Sequence, residues 1–397
     1  MSAARFGRGA VWLVLGGTAL IAVLLLGWWW STDQRAPADA TAGNGFSVAG
    51  ALSGEQQAEG FARITGPAAL HFPDDHGPHP AYRHEWWYVT GNLEADDGRA
   101  FGYQVTFFRF NVDPEAPIRR SALASNQIWM AHLALTDVDA ERFHHEERLA
   151  RGAGGLAGGE AAPFRVWLDD WTLQSVEPSQ FTPLRLRAAA DAFQLDLQLD
   201  PRKPLVLQGD RGYSRKGSKP GNASRYFSFT RLATSGTVTL ADDPIAVSGS
   251  SWMDREWGSS TLDEAQVGWD WFSLQLDHDV EIMFYHLRLA DGTIDPRSKG
   301  LWVDPDGGTR LLDLDQVRLE ATRTWPSPLD GTRYPVGWRL HMPDEDLVLD
   351  LQARIDDQEL RGGLFRYWEG ALTISGEHAG RRVNGVGYAE LTGYDGG

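Results

Sequence analysis

From about Phe61 onward, apolar and polar positions alternate with a period of two. The clearest stretches are "FGYQVTFFRF" (Phe101–Phe110), "IWMAHLALTDV" (Ile128–Val138), "FRVWLDDWTLQ" (Phe164–Gln174), "FQLDLQLD" (Phe193–Asp200) and "TVTLADDPIAVSGSSW" (Thr237–Trp252). Alternation of this kind, rich in β-branched and aromatic residues, predicts half-buried strands. The second half repeats the style. Trp269–Gly292 reads as a hairpin turning at Asp277–Asp279, and Trp338–Ile355 and Tyr367–Tyr394 read as further strand pairs. Asp97-Gly98, Gly154-Gly155, Asp200-Pro201 and Asp242-Asp243-Pro244 supply turns between them. Helical periodicity is scarce. Short antiparallel strands at this spacing predict an all-β protein of sandwich or barrel type. The boundary between two β domains is expected near Ala241–Ser251, giving 58–245 and 246–397. Gly-rich Arg151–Ala162 is expected to be a mobile surface loop.

One stretch breaks the alternation. "RHEWWYVTGNL" (Arg83–Leu93) sets aromatics on both faces of a strand: Trp86 and Tyr88 on one, Glu85 and Trp87 on the other. Both faces are therefore covered, or one lines a cavity. Glu85 is either a carboxylate meeting Arg83 or Arg109, or a cavity group beside Trp87. "SSWMDREWGSS" (Ser250–Ser260) raises the same question. It sets Asp254, Arg255 and Glu256 between Trp252 and Trp257. Charges among indoles are either paired and structural, or functional, because an unpaired buried charge is costly. A carboxylate against an indole is harder to ionise, which makes it a usable general acid. "GWDWF" places Asp270 opposite Trp269 and Trp271, and "YWEG" (Tyr367–Gly370) is a fourth instance.

Composition narrows the function. The 17 tryptophans suit ligand cavities and interfaces as well as cores. A formal net charge of −17 argues against nucleic-acid partners and direct adhesion to anionic lipid. With no cysteine, thiol catalysis and zinc-thiolate sites are excluded. Phosphate-loop, dinucleotide, H-E-x-x-H and G-x-S-x-G motifs are absent, and no cofactor is expected. His71, His76, His79 and His84 cluster before the first aromatic strand. Among Pro73, Pro78 and Pro80 they read as a solvated loop, and no metal site is expected. His132 in "MAHLALTD" is a candidate to line the site. The basic stretch Arg211–Arg231 is either a solvated loop or a lid whose Lys216 contacts a ligand head group.

The uncharged run Ala10–Trp30, preceded by Arg5 and Arg8, has the length and flanks of a signal-anchor, with a cleaved signal peptide as the alternative. Ser31–Gln57 reads as a flexible linker. The bulk of the chain is thus expected to be exported, periplasmic or envelope-bound, touching the membrane only through its N-terminal segment.

Taken in order, "HPAYRHEWWYVTGNL", "FGYQVTFFR", "MAHLALTD", "GYSRKG", "SWMDREWGS", "GWDWFSLQL", "YPVGWRL" and "YWEGALTISG…GVGYAELTGY" resemble the AttH-like family, which includes carotenoid 1,2-hydratases and predicted secreted hydrolases. The resemblance spans about His71 to Tyr394. It implies two tandem lipocalin-like, calycin-type antiparallel β-barrel domains, apolar ligands, and an envelope ABC-transporter permease as a partner. Where the carotenoid hydratases resemble Asp-His-x-Trp-Gly, this chain has Arg255, which holds its proton near neutral pH and cannot act as that acid. The expected enzyme is a hydratase or hydrolase acting on a lipidic or isoprenoid substrate. Glu256 is its acid/base with Asp254, and Arg255 is a charge partner or oxyanion stabiliser. Glu85, Trp86, Trp87, His132, Lys216, Trp257, Trp269 and Asp270 are expected at the ligand. The rival reading is a non-catalytic lipid carrier or transporter accessory.

Overall fold

The structure, a computed structural model, describes residues 58–115, 124–260, 262–362 and 365–394. The expected signal-anchor and linker lie outside them. All regular elements described are β-strands and single 3₁₀ turns, and no described helix is long and apolar enough to cross a membrane.

Two antiparallel sheets account for the strands. The first runs through Arg142–Arg151, Gln127–Asp137, Ala100–Asn111, His84–Ala95, Asp243–Gly258, Ala223–Leu240, Phe193–Pro201, Leu184–Ala189, Trp171–Ser175, Phe164–Leu168 and Ala157–Ala161. The second runs through Thr309–Asp313, Lys299–Val303, Glu281–Leu289, Gln266–Leu276, Arg381–Leu391, Phe365–His378, Leu347–Ala353, Arg333–Met342 and Arg318–Pro326. Each curls around its own apolar core, as barrels do when inward positions alternate with outward ones. Val105, Leu133, Leu173 and Leu197 fill the first, and Leu274, Ile282, Leu349 and Leu372 the second. The fold is lipocalin-like.

Two expectations need correction. Asp243–Gly258 is one unbroken strand at the centre of the first sheet, paired on both sides, so the passage between sheets lies between Gly258 and Gln266 and not at 245/246. The Asp242-Asp243-Pro244 turn is real, with Ala241 and Asp242 at positive φ, but it joins neighbouring strands of one sheet. The Gly-rich loop also carries more order than expected: Ala157–Ala161 pairs with Phe164–Leu168 as the sheet's edge.

The barrels meet through their outer faces. Tyr88, Tyr226 and Trp252 of the first pack with Trp271, Tyr285 and Leu287 of the second. A second apolar patch joins Met130 and Phe108 to Leu360 and Tyr367. Several polar groups in the seam are paired. Gln275 Nε2 donates to the carbonyls of Thr230 (2.7 Å) and Ser251 (3.0 Å). Glu281, fully buried, takes Lys203 Nζ at 2.7 Å and Arg231 Nε at 2.5 Å. The sheets approach closely at Gly102, where a Cβ would lie 2.4 Å from the Ala371 Cβ. Overpacking of this kind costs about 1–3 kcal/mol. Gly102→Val should therefore lower the melting temperature in a calorimetric scan while leaving far-ultraviolet dichroism β-like.

Candidate functional site

The strands at the seam have both faces buried, and pairing fixes what each face shows. Across the first sheet, Phe108, Trp86, Glu256 and Tyr226 lie side by side, and Thr106, Tyr88, Asp254 and Ser228 form the next row. Across the second sheet, Tyr285, Trp271, Glu390 and Glu369 are aligned. The first two rows and the third face each other across a cavity of about 80 Å³, closed further by Lys216, Trp269 and Tyr367. Its walls are largely aromatic, and its polar groups are carboxyls, hydroxyls and one ammonium.

The carboxyls differ in environment. Asp254 accepts hydrogen bonds from Tyr226 (2.5 Å), Ser228 (2.5 Å) and Trp252 Nε1 (2.6 Å). Burial still pushes its pKa up to about 7, with the nearby Glu256 adding to the rise. Glu390 accepts from Trp269 Nε1 at 3.0 Å. Burial, then repulsion from Asp254 and Glu256, pushes it up to about 8. Glu369, its cross-strand neighbour, lies behind it and is raised well above the usual carboxyl range, first by burial and then by the Glu390 charge. The hydroxyls of Tyr88 and Tyr367 lie beside Glu369 and favour its ionised form, but no aligned hydrogen bond reaches either carboxyl oxygen. Glu256, by contrast, is ion-paired with Lys216 and takes a hydrogen bond from Ser224. The cavity thus holds carboxylic acids that keep their protons near neutral pH beside one carboxylate–ammonium pair.

The opposite face of the same strands is the interior of the first barrel. There Glu85 is buried between Arg109 and Arg255 and accepts the His79 backbone N–H at 3.0 Å. Burial alone would raise this carboxyl; the two guanidiniums outweigh it and hold it far below the ordinary range. Arg255 lies 3.9 Å over the Trp87 ring and donates to the Gly77 carbonyl at 2.6 Å.

A family model for AttH-like proteins matches residues 63–394. The chain belongs to the AttH-like family. A crystal structure of a candidate AttH protein from Nitrosomonas europaea is similar at a TM-score of 0.74 and 37% identity, covering 84% of this chain and 100% of that one. Kievitone hydratase from Nectria haematococca has the same fold, with a TM-score of 0.62 and 17% identity over 84% of this chain and 99% of that one. The dehydratase asqC of Emericella nidulans is 19% identical over 243 residues, 55% of this chain; the match spans 63% of that protein's length.

In this AttH-like chain the expected site residues divide by face. Trp86, Asp254, Glu256, Trp269 and Lys216 converge on the cavity. Glu85, Trp87, Arg255 and Trp257 point the other way, into the first barrel, where they pack and neutralise one another. Their expected place at the ligand therefore does not hold: Trp86 and Trp87 alternate, and the cavity takes the even-numbered face. Asp270 lies off the cavity as well, bonded to Arg288 Nε at 3.0 Å and Tyr394 Oη at 3.0 Å. His132 lies one residue behind the wall, on Tyr367. The proline-rich histidine segment is solvated only in part: His71, Pro73 and Pro80 are exposed, but His76 stacks on Phe181 with centroids 3.6 Å apart, and His79 stacks on Trp257 at 3.9 Å. Glu390, Glu369, Tyr226 and Tyr367 complete the site without having been singled out as site residues, although the "YWEG" stretch marked the strand of two of them.

Two consequences can be measured. Removing the charge of Glu85 leaves two buried guanidiniums facing each other, which costs about 3–5 kcal/mol. Its depressed pKa means this stabilisation is present at neutral pH and is lost on acidification below the ordinary glutamate value of 4.5. Glu85→Gln should thus be strongly destabilised at pH 7 in urea melts, with the gap to wild type narrowing towards low pH. Asp254 has the opposite sign. Its pKa rises from 3.8 unfolded to about 7 folded, so stability falls as pH rises across that window, by on the order of 4 kcal/mol. Asp254→Asn should be more stable than wild type at pH 8 and similar to it at pH 4.

Proposed function

We propose that this protein is a hydratase- or dehydratase-type enzyme that adds water to, or removes it from, an unsaturated apolar substrate in the inter-barrel cavity. The observation that carries the reading is the convergence of Asp254 and Glu390, both protonated near neutral pH, on an aromatic cavity that also holds the Glu256–Lys216 pair. Hydration of an alkene needs an acid strong enough to protonate carbon and a base to deprotonate the entering water. Asp254 or Glu390 gives its proton to one alkene carbon. The rings of Trp86, Tyr88 and Trp271 line the cavity and stabilise the cation that forms at the other carbon. Water adds there and loses a proton to Glu256, whose Lys216 partner steadies the charge. Dehydration runs the same steps backwards: protonated Glu256 gives its proton to the leaving hydroxyl, and ionised Asp254 or Glu390 takes the proton from the neighbouring carbon.

Two relatives named for adding or removing water, kievitone hydratase and the dehydratase asqC, support the reaction class. At about 80 Å³ the cavity has room for on the order of six waters, so it would enclose only the reacting end of a larger lipidic or isoprenoid molecule. Export and an envelope permease partner belong to the same proposal; the apolar run Ala10–Trp30 supports the first, and the family resemblance the second.

The test is mass spectrometry of small molecules extracted from wild type, Asp254→Asn and Glu390→Gln. The expected result is a molecule on the folded variants and, on wild type, its counterpart differing by one water. In isotopically heavy water the added oxygen should be heavy. Turnover should fall as pH rises through about 7 to 8, because the acids must keep their protons. The same unchanged molecule on all three proteins would make it a carrier and sink the enzymatic reading.

A further inference from the structure

Asp254 and Glu369 are buried and Glu390 is partly so, yet each catalytic cycle displaces protons among the cavity acids. The acid that protonates carbon is not the base that deprotonates water, so the acid must be reloaded. A route for that proton, hydrogen-bonded from Tyr367 to Glu147 and continued inward by the neighbouring Glu369 and Glu390, is visible at the back of the cavity. Tyr367, on the wall, has its hydroxyl 2.6 Å from His132 Nδ1. His132 is completely buried, with Phe108 and Phe365 against its ring. Its other nitrogen, Nε2, lies 3.0 Å from Glu147 Oε2. Glu147 sits on the next strand, directly opposite His132, and its side chain is 11% exposed. On the cavity side Tyr367 stands beside Glu369, and Glu369 faces Glu390 across the strand pair.

We propose that Glu390, Glu369, Tyr367, His132 and Glu147 form a proton conduit linking the cavity acids to solvent along the seam between the two barrels. The inference deepens the function proposed above and rests on its acids being protonated. With Tyr367 donating to Nδ1 and Nε2–H donating to Glu147, one proton crosses as follows. Glu369 protonates the Tyr367 oxygen while the Tyr367 hydroxyl proton passes to Nδ1. The Nε2 proton passes to Glu147, which releases it to water. One proton enters at Glu369 and one leaves at Glu147. The opposite histidine tautomer runs the chain inward and reloads Glu369 and then Glu390. Both imidazole nitrogens are engaged and neither faces the cavity, so His132 and Glu147 are positioning and relay groups, and the residues touching substrate are Tyr367 and Glu390.

The arrangement also explains a polar chain in an apolar seam. A histidine with no task here could be replaced by a leucine filling the same space beside Phe108 and Phe365. Charges near the relay come from His145, Arg361 and Asp357 as well as Glu147, all at the outer end.

Infrared spectroscopy tests the conduit without any substrate. Protonated carboxyls absorb apart from ionised ones, and their bands shift when the proton exchanges for deuterium. Wild-type protein is transferred from water to heavy water, and the shift of each carboxylic band is timed, with Asp254→Asn, Glu369→Gln and Glu390→Gln used to assign the bands. The Glu369 and Glu390 bands should exchange at least tenfold more slowly in His132→Asn and in Glu147→Gln, while the Asp254 band keeps its wild-type rate. Glu147→Gln sits at the rim and serves as the variant whose folding is least perturbed; equal melting temperatures separate a blocked conduit from altered global opening. Unchanged Glu369 and Glu390 rates in both folded variants would overturn the conduit and leave the proposed enzyme standing. Absence of carboxylic bands from wild type at neutral pH would overturn the protonated acids, and with them both proposals.

Discussion

Both faces of the same few strands are buried, and the rest of the architecture follows from that constraint. Strands His84–Ala95 and Asp243–Gly258 serve the core of the first barrel with one face and the wall of the cavity with the other. Over His84–Leu93 and Ser251–Gly258 almost no side chain is left to water, so every charged group there needs a partner or must give up its charge. Glu85 meets that demand on the inner face, where two guanidiniums from neighbouring strands converge on one carboxylate. A buried triad of this kind is a weak source of net stability, but it is unforgiving of losing a member. Its geometry fixes the register of three strands at once. The Arg255 position that could have carried acid chemistry is thereby committed to the buried ion-pair cluster inside the first barrel.

On the outer face the demand is met differently. Asp254 and Glu390 have hydrogen-bond donors but no cation, and Glu369 lacks even aligned donors. Their carboxyls respond by keeping protons, as burial without a countercharge requires. Glu256 alone is given an ammonium. The same pair of strands thus holds an ionised carboxylate, Glu85, facing inward and a proton-bearing one, Asp254, facing outward. Environment and not residue type separates their chemistry.

Much of this was legible in the chain. The period of two located most strands, the hairpin turning at Asp277–Asp279 is present, and the parity that sets Trp86 against Trp87 is realised. What parity could not reveal is which face meets the cavity. With one face polar the answer would have been plain; with aromatics on both, Glu85 and Glu256 were equivalent on the page. The sheet boundary was hidden for a related reason: the turn at Asp242 is a strong break in pattern, yet a hairpin and a domain junction look alike until the partner strand is known. Glu390 and Glu369 were obscured because their importance comes from facing each other and Asp254 across strands far apart in sequence.

The seam between the barrels also bears on how the chain is made. The first sheet is complete at Gly258, but its outer face then presents Trp86, Tyr88, Phe108 and Tyr226 with nothing to cover them. The covering strands begin at Gln266, and roughly 130 residues remain to be synthesised, on the order of ten seconds at common elongation rates. During that interval the future substrate wall is an adhesive surface. The newborn half-protein is therefore most in need of a chaperone at the very patch that the finished protein uses for chemistry.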